Sequence, residues 1–188
     1  MRGFGVAKLI ILIGLPGAGK SDYRDSNSDF SGVEVGTDDI RLELGGVESK
    51  QEYQEKCYDG QARFDGTKDQ VVFAEAKYRI RKNLMAGTDV IFEAINIEEI
   101  AVKKFIQIAQ ECNADIEAHH FYCPLWELIR RNRLRGEANL EFDRFILETY
   151  YKNALDLETG EMNVEWPAKY NIPLTKKNTV NNPKWKIQ

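Results

Sequence analysis

Gly14-Leu15-Pro16-Gly17-Ala18-Gly19-Lys20-Ser21 spells G-x-x-x-x-G-K-S directly after the apolar run Leu9-Ile10-Ile11-Leu12-Ile13. That run reads as a buried parallel strand, so the glycines fall where a strand must turn into a helix. Glycine lets backbone N–H groups crowd around a phosphate without side-chain clash. Lys20 then reaches the β- and γ-phosphates, and the Ser21 hydroxyl suits Mg2+. Gly14, Pro16, Gly17, Ala18, Gly19, Lys20 and Ser21 are therefore candidate nucleotide-binding residues. The alternative is an ordinary glycine-rich βα turn, which the strand context disfavours.

A phosphate loop alone does not separate a kinase from a GTPase, a motor or a transport ATPase. The acceptor side must do that. Gly36-Thr37-Asp38-Asp39-Ile40-Arg41 follows a second, short strand at Val33-Glu34-Val35. Asp38 and Arg41 are three apart, so at a helix start they share a face. A carboxylate beside a guanidinium can accept a hydroxyl proton and steady a nearby phosphate. The competing reading is helix capping: Thr37 as N-cap, with Asp38 and Asp39 at the positive end of the helix dipole.

Arg130-Arg131-Asn132-Arg133-Leu134-Arg135-Gly136 packs four arginines into six residues. Arginines from a lid can neutralise charge on a transferring phosphoryl group. A solvated basic helix face is the plainer alternative. Glu93 ends a central apolar strand, where a carboxylate can serve Mg2+ through water. Asn96-Ile97-Glu98-Glu99 fits an N-cap box, which gives Asn96 a role without chemistry.

The elements that must position these groups alternate strand and helix, which is an α/β pattern with a mostly parallel sheet. Strands are expected near 7–13, 33–35, 89–93 and 116–122. Helices are expected from about Gly19, through Ile40 and Leu44, and over two long stretches of which the second opens at Thr67-Lys68-Asp69-Gln70. That helix places Val72, Ala76, Ile80 and Leu84 on one face and closes at Gly87. The next carries Ile97, Ala101, Phe105, Ala109 and Cys112 on its core face. Pro124 opens a helix ending at about Arg135 with Gly136 as its stop, and another spans about Leu140 to Leu155.

At 188 residues, 43% apolar and 30% charged, the chain has enough apolar residues for one substantial core. We divide it as 1–160, a phosphate-loop domain, and 161–188, a basic aromatic segment of unassigned structure. From Trp166 onward that segment has five lysines and no acidic residue. Trp166, Tyr170 and Trp185 there could contact a polyanion, but packing of the aromatics on the body is the favoured reading. A net charge of −4 argues against a surface that tracks nucleic acid throughout. Cys57, Cys112 and Cys123 are odd in number and unpaired in spacing, as in buried or free thiols. No apolar run approaches the roughly 20 residues needed to span a bilayer. With no visible signal peptide at the start, a cytoplasmic protein is expected.

With these pieces in order, the chain resembles the kinase domain of the phage-type polynucleotide kinase family. The resemblance rests on Gly14 to Ser21, on Asp38-Asp39-Ile40-Arg41, on Glu93 with Asn96, and on Arg131-Asn132-Arg133-Leu134-Arg135-Gly136, and it covers roughly residues 8–155. It implies a P-loop NTPase fold, a central mostly parallel sheet flanked by helices with an Arg-bearing lid. It also implies an ATP- and Mg2+-dependent transfer of the γ-phosphate to a hydroxyl-bearing acceptor, the 5′-hydroxyl of a polynucleotide. Asp38 would be the general base and Arg41 would hold the acceptor's phosphate. Lys20 and Arg135 would clamp the transferring group, Arg131 would support the lid, and Ser21 with Glu93 would serve the metal. The family commonly has Asp where this chain has Glu93, and the basic tail has no counterpart. A small-molecule kinase acting on a sugar, nucleoside or antibiotic and a regulatory ATP-binding module stay open beside it.

Overall fold

The computed structural model describes residues 6–26, 30–45, 66–135 and 140–181. Five parallel strands make one sheet in the order β2-β3-β1-β4-β5. β1 (Lys8–Ile13) is the centre, with β3 (Val90–Glu93) on one side and β4 (Asp115–Tyr122) on the other. β2 (Val33–Gly36) lies outside β3, and β5 (Leu174–Asn178) lies outside β4. Leu9, Ile11, Leu12, Ile13, Val90, Ile91 and Phe92 are all fully enclosed, as a near-continuous apolar run in a parallel sheet requires. The chain leaves β1 toward β2 and later crosses to β4, so its strand order switches at the carboxyl end of β1. In open α/β sheets, that crevice is where ligands bind.

The helices are α1 (Lys20–Ser26), α2 (Thr37–Gly45), α3 (Gly66–Met85), α4 (Glu99–Glu111), α5 (Leu125–Leu134), α6 (Leu140–Asn153) and the single turn α7 (Trp166–Lys169). On α3, Val72, Ala76, Ile80 and Leu84 are buried as their spacing predicts, and Gly87 follows with φ of 74°. Arg79 of α3 binds Glu43 of α2 and Glu75 on its own helix, which ties α2 to the body. The long helical stretch expected before Thr67, the Gly136 stop, and the tail beyond 181 lie outside the described residues.

Two sequence expectations are corrected around α4. Its N-cap is Glu98, in extended conformation (φ −87°, ψ 139°) with no side-chain cap bond. Asn96 does not cap. It adopts a left-handed conformation (φ 53°), and its buried side chain donates from Nδ2 to the Leu12 carbonyl at 2.8 Å. The helix therefore starts later than expected, and its buried face runs Val102, Phe105, Ile106 and Ala109 while Ala101 is exposed. Those positions follow the i, i+3, i+4, i+7 rule counted from the true start. Phe105 packs on Phe92 of β3 with ring centroids 4.1 Å apart.

The C-terminal segment, of unassigned structure in the sequence, adds a strand to the sheet: β5 pairs in register with β4 from Ala118–Leu174 to Tyr122–Asn178. Trp166 is 2% exposed and donates from its indole to the Asn96 carbonyl at 3.0 Å. Tyr170 donates to Glu99 of α4. The packing of its aromatics on the body is thus observed for both described aromatics. Leu-Thr-Lys-Lys-Asn lacks strand periodicity because β5 is an edge with mostly exposed side chains. Edge lysines discourage pairing with another chain, and Lys177 also lies over the Tyr23 ring of α1 at 4.0 Å to its centroid.

His120 of β4 is fully enclosed, and neither ring nitrogen has a hydrogen-bond partner among the described residues. Burial pushes its pKa down to about 4; Glu161 opposes the shift and Lys176 reinforces it. The imidazole is neutral in both states at pH 7, whereas between about 6.5 and 4 only the unfolded chain gains the proton. Stability therefore falls as pH drops through that window, by roughly 3 kcal/mol in full. Urea midpoints at pH 7.5, 6 and 5 should show this decline, and His120→Leu should flatten most of it. An equal decline in the variant would place the acid sensitivity elsewhere. The described cysteines, Cys112 and Cys123, are free thiols, and burial pushes Cys123 up to about 11.

Candidate active site

The phosphate loop leaves β1 at its carboxyl end and enters α1 at Lys20. Gly14 (φ 144°) and Gly17 (φ 82°) take backbone conformations that side chains disfavour. There is no room for one either. A Cβ on Gly14 would sit 2.4 Å from the Phe121 carbonyl, and one on Gly17 would sit 3.0 Å from Asn132 Nδ2. The Gly14 amide donates to Ile95, which ties the loop to the chain after β3. Lys20 lies folded along the loop, donating to the carbonyls of Gly14 (2.7 Å) and Leu15 (3.1 Å).

Ser21 donates from its hydroxyl to Glu93 Oε1 at 2.8 Å. The other oxygen, Glu93 Oε2, is buried without a hydrogen bond, 3.3 Å from the Arg24 guanidinium. A hydroxyl and a carboxylate oxygen at one point suit a hard, oxygen-loving ion such as Mg2+. Among the described residues no cluster of three His, Cys, Asp or Glu side chains could hold a metal alone. An ion here would depend on Ser21, phosphate oxygens and water, with Glu93 behind them.

Asp38 and Arg41 pair across one turn of α2, Nη1 to Oδ1 at 2.7 Å. Their neighbours link this pair to the Ser21–Glu93 side of the loop. Thr37 Oγ1 lies 3.5 Å from the Glu93 carbonyl, and Asp39 binds Arg24 at 2.8 Å. Arg24 also reaches Glu34 of β2 at 3.2 Å and Asp25 at 3.4 Å. Burial would lower its pKa, but Glu93, Asp39, Asp25 and Glu34 together raise it. Nothing in the sequence motif singles out Arg24; only the fold brings it between the carboxyl ends of β2 and β3.

The arginine-rich helix α5 divides its arginines among different partners. Arg131 is 0% exposed, with Nε on Glu127 (2.7 Å), Nη1 on the Gly17 carbonyl (3.0 Å) and on Thr179 Oγ1 (3.0 Å), and Nη2 on the Thr179 carbonyl (2.6 Å). Arg130 grips Glu127 with two hydrogen bonds, and Arg133 lies 3.3 Å from Asp143 of α6. Arg130, Arg131 and Arg133 thus each meet a protein acceptor. Arg135 ends the helix, its backbone amide on the carbonyls of Arg131 and Asn132. Glu127 is 2% exposed; burial favours its neutral form, yet Arg130 and Arg131 hold its pKa below the usual carboxylate range. Its i+3 and i+4 spacing to these arginines is a signal legible in the sequence. Thr179 carried no signal at all.

The AAA_33 sequence profile, an AAA domain, matches residues 9–151. The chain belongs to the AAA domain family. Its P-loop, kinase-like fold also recurs among solved structures. A chain in the Pnkp1/Rnl/Hen1 complex is 25% identical with a TM-score of 0.53, over 67% of this chain and 39% of that one. A chain in the Pnkp1/Rnl/Hen1 RNA repair complex is 22% identical with a TM-score of 0.55, over 77% of this chain and 46% of that one. A candidate kinase from Chloroflexus aurantiacus J-10-fl is 13% identical with a TM-score of 0.64, over 98% of this chain and 91% of that one. This chain thus spans less than half of the two matched complex components. No curated protein matches it. No described helix is long and apolar enough to cross a membrane.

Proposed function

We propose that this domain transfers the γ-phosphate of ATP to the 5′-hydroxyl of a polynucleotide. The observation that carries this reading is the Asp38–Arg41 pair, held at the carboxyl end of β2 and linked through Thr37, Asp39 and Arg24 to the Ser21–Glu93 side of the phosphate loop. The 25% identity to a chain of the Pnkp1/Rnl/Hen1 complex supports it. So does the resemblance of the same motifs to the phage-type polynucleotide kinase family.

In the proposed reaction Asp38 accepts the acceptor's hydroxyl proton as its oxygen bonds to the γ-phosphorus. The bond from that phosphorus to the bridging oxygen breaks, and ADP leaves. Lys20 exchanges its loop carbonyls for β- and γ-phosphate oxygens, and Arg135 approaches from the end of α5. Arg41 holds the phosphate next to the acceptor hydroxyl. Mg2+, held by Ser21 and, through water, by Glu93, would offset the charge on the β- and γ-oxygens.

The test is a transfer screen with γ-labelled ATP across 5′-hydroxyl DNA and RNA oligonucleotides and small hydroxyl compounds. Label is expected on the oligonucleotide, with acceptor affinity falling steeply between 50 and 200 mM salt because phosphate contacts release counterions. Label on a sugar or nucleoside, with little salt dependence, would instead favour a small-molecule kinase, for which the net charge of −4 speaks. Label found only in free phosphate would point to a regulatory module.

A further inference from the structure

Every carbonyl from Gly14 to Ala18 accepts a hydrogen bond. Lys20 takes those of Gly14 and Leu15, Asn132 takes that of Pro16 at 3.1 Å, Arg131 takes that of Gly17, and Thr179 takes that of Ala18 at 2.8 Å. The last three donors come from two elements far along the chain, α5 and the residue just after β5. A trans peptide is planar, with its N–H directed opposite its C=O. Fixing the Pro16 carbonyl therefore aims the Gly17 amide, and fixing the Ala18 carbonyl aims the Gly19 amide. The Ala18 amide is itself turned inward onto Leu15 at 3.1 Å, closing the loop's turn.

We infer that Asn132, Arg131 and Thr179 form a rear brace that pre-aims the amides of the phosphate loop, with Thr179 as a positioning residue for the triphosphate. The inference rests on the nucleotide-binding reading of that loop and is independent of the acceptor. The Thr179 hydroxyl has one hydrogen, for which the Ala18 carbonyl at 2.8 Å is nearer than the Tyr122 carbonyl at 3.3 Å, and its oxygen accepts from Arg131. Its backbone is fixed as well, with its amide on Tyr122 and its carbonyl on Arg131. A Cβ on Gly19 would stand 3.3 Å from Thr179 Cγ2, so the methyl group packs directly behind the loop. Asn132 is fully enclosed, and its Nδ2 spans the carbonyls of Pro16 and Leu128. Flipping that amide would aim an oxygen at both carbonyls, which fixes its orientation. The brace makes the last strand of the sheet part of the phosphate site.

Thr179→Val keeps the shape and the methyl group while deleting the donor. Calorimetric titration should show its affinity for ATP and for inorganic tripolyphosphate falling about tenfold, as expected for a misaimed binding group. Thr179→Ser should recover to within about threefold, since it restores the hydroxyl. Asn132→Ala, acting on Pro16 instead, should weaken both ligands in the same direction. Melting temperature is measured alongside. Thr179→Val and Asn132→Ala that melt lower yet bind both ligands like the parent would overturn the inference and leave only a structural role. A parent protein that binds neither ligand would instead refute the nucleotide reading underneath.

Discussion

Asp38→Asn should lower phosphate transfer by roughly 10²- to 10⁴-fold while leaving ATP affinity within about twofold of the parent, the range associated with loss of a general base. The substitution is isosteric, and an amide oxygen can still accept from Arg41, whose guanidinium now sits 2.7 Å from the carboxylate. Basicity is lost while geometry is largely kept. The competing explanation of Asp38 is electrostatic. It stands in the first turn of α2, where a carboxylate favours the helix dipole. Neutralising such a residue costs only about 0.3–1 kcal/mol of stability. The two explanations thus predict different things. A base predicts a collapse of turnover with little change in melting, and a dipole partner predicts a slight loss of melting temperature with turnover intact. Single-turnover transfer from γ-labelled ATP, read beside ATP titration and thermal melting, separates them. Near-parental turnover would remove Asp38 from the mechanism.

Arg131→Met should be the most damaging single change to the fold around the site. It strips the guanidinium from four acceptors at once and leaves Glu127, 2% exposed, with Arg130 alone. Breaking a buried ion pair from one side typically costs about 3–5 kcal/mol. For a domain of this size that corresponds to a fall of about 10 °C in melting temperature. Arg131→Lys should rescue little, because an ammonium cannot reproduce a planar fork that reaches three elements. Pairing Arg131→Met with Glu127→Gln should recover part of the loss by removing the stranded charge. ATP affinity should fall as well, because the Gly17 carbonyl loses its anchor. If Arg131→Met melted within a degree or two of the parent, these four hydrogen bonds would not carry that stability.

The same helix shows what a sequence motif leaves undivided. Arg130, Arg131, Arg133 and Arg135 look alike in sequence, and a lid rich in arginine invites one shared role. Three-dimensional packing divides them: Arg131 is buried behind the loop, Arg130 grips Glu127, Arg133 meets α6, and Arg135 ends the helix. Asn96 offers a second case. Its spacing fits a helix cap, but the chain turns left-handed there and its amide holds β1 instead. Local preference proposes a cap, and a long-range backbone acceptor outweighs it.

The sequence by itself determined the phosphate loop, the alternation of strands and helices, and the adjacency of Asp38 to Arg41. Each is a short-range property. Glycine spacing fixes a turn, apolar runs fix buried strands, and three residues on a helix fix a shared face. Only the tertiary structure decided that the C-terminal segment supplies the fifth strand, that Arg24 joins the two halves of the site, and that Thr179 braces the Ala18 carbonyl. An edge strand needs little apolar periodicity, and a hydrogen bond between residues 161 apart leaves no pattern along the chain. Which backbone groups meet there depends on how the whole sheet stacks.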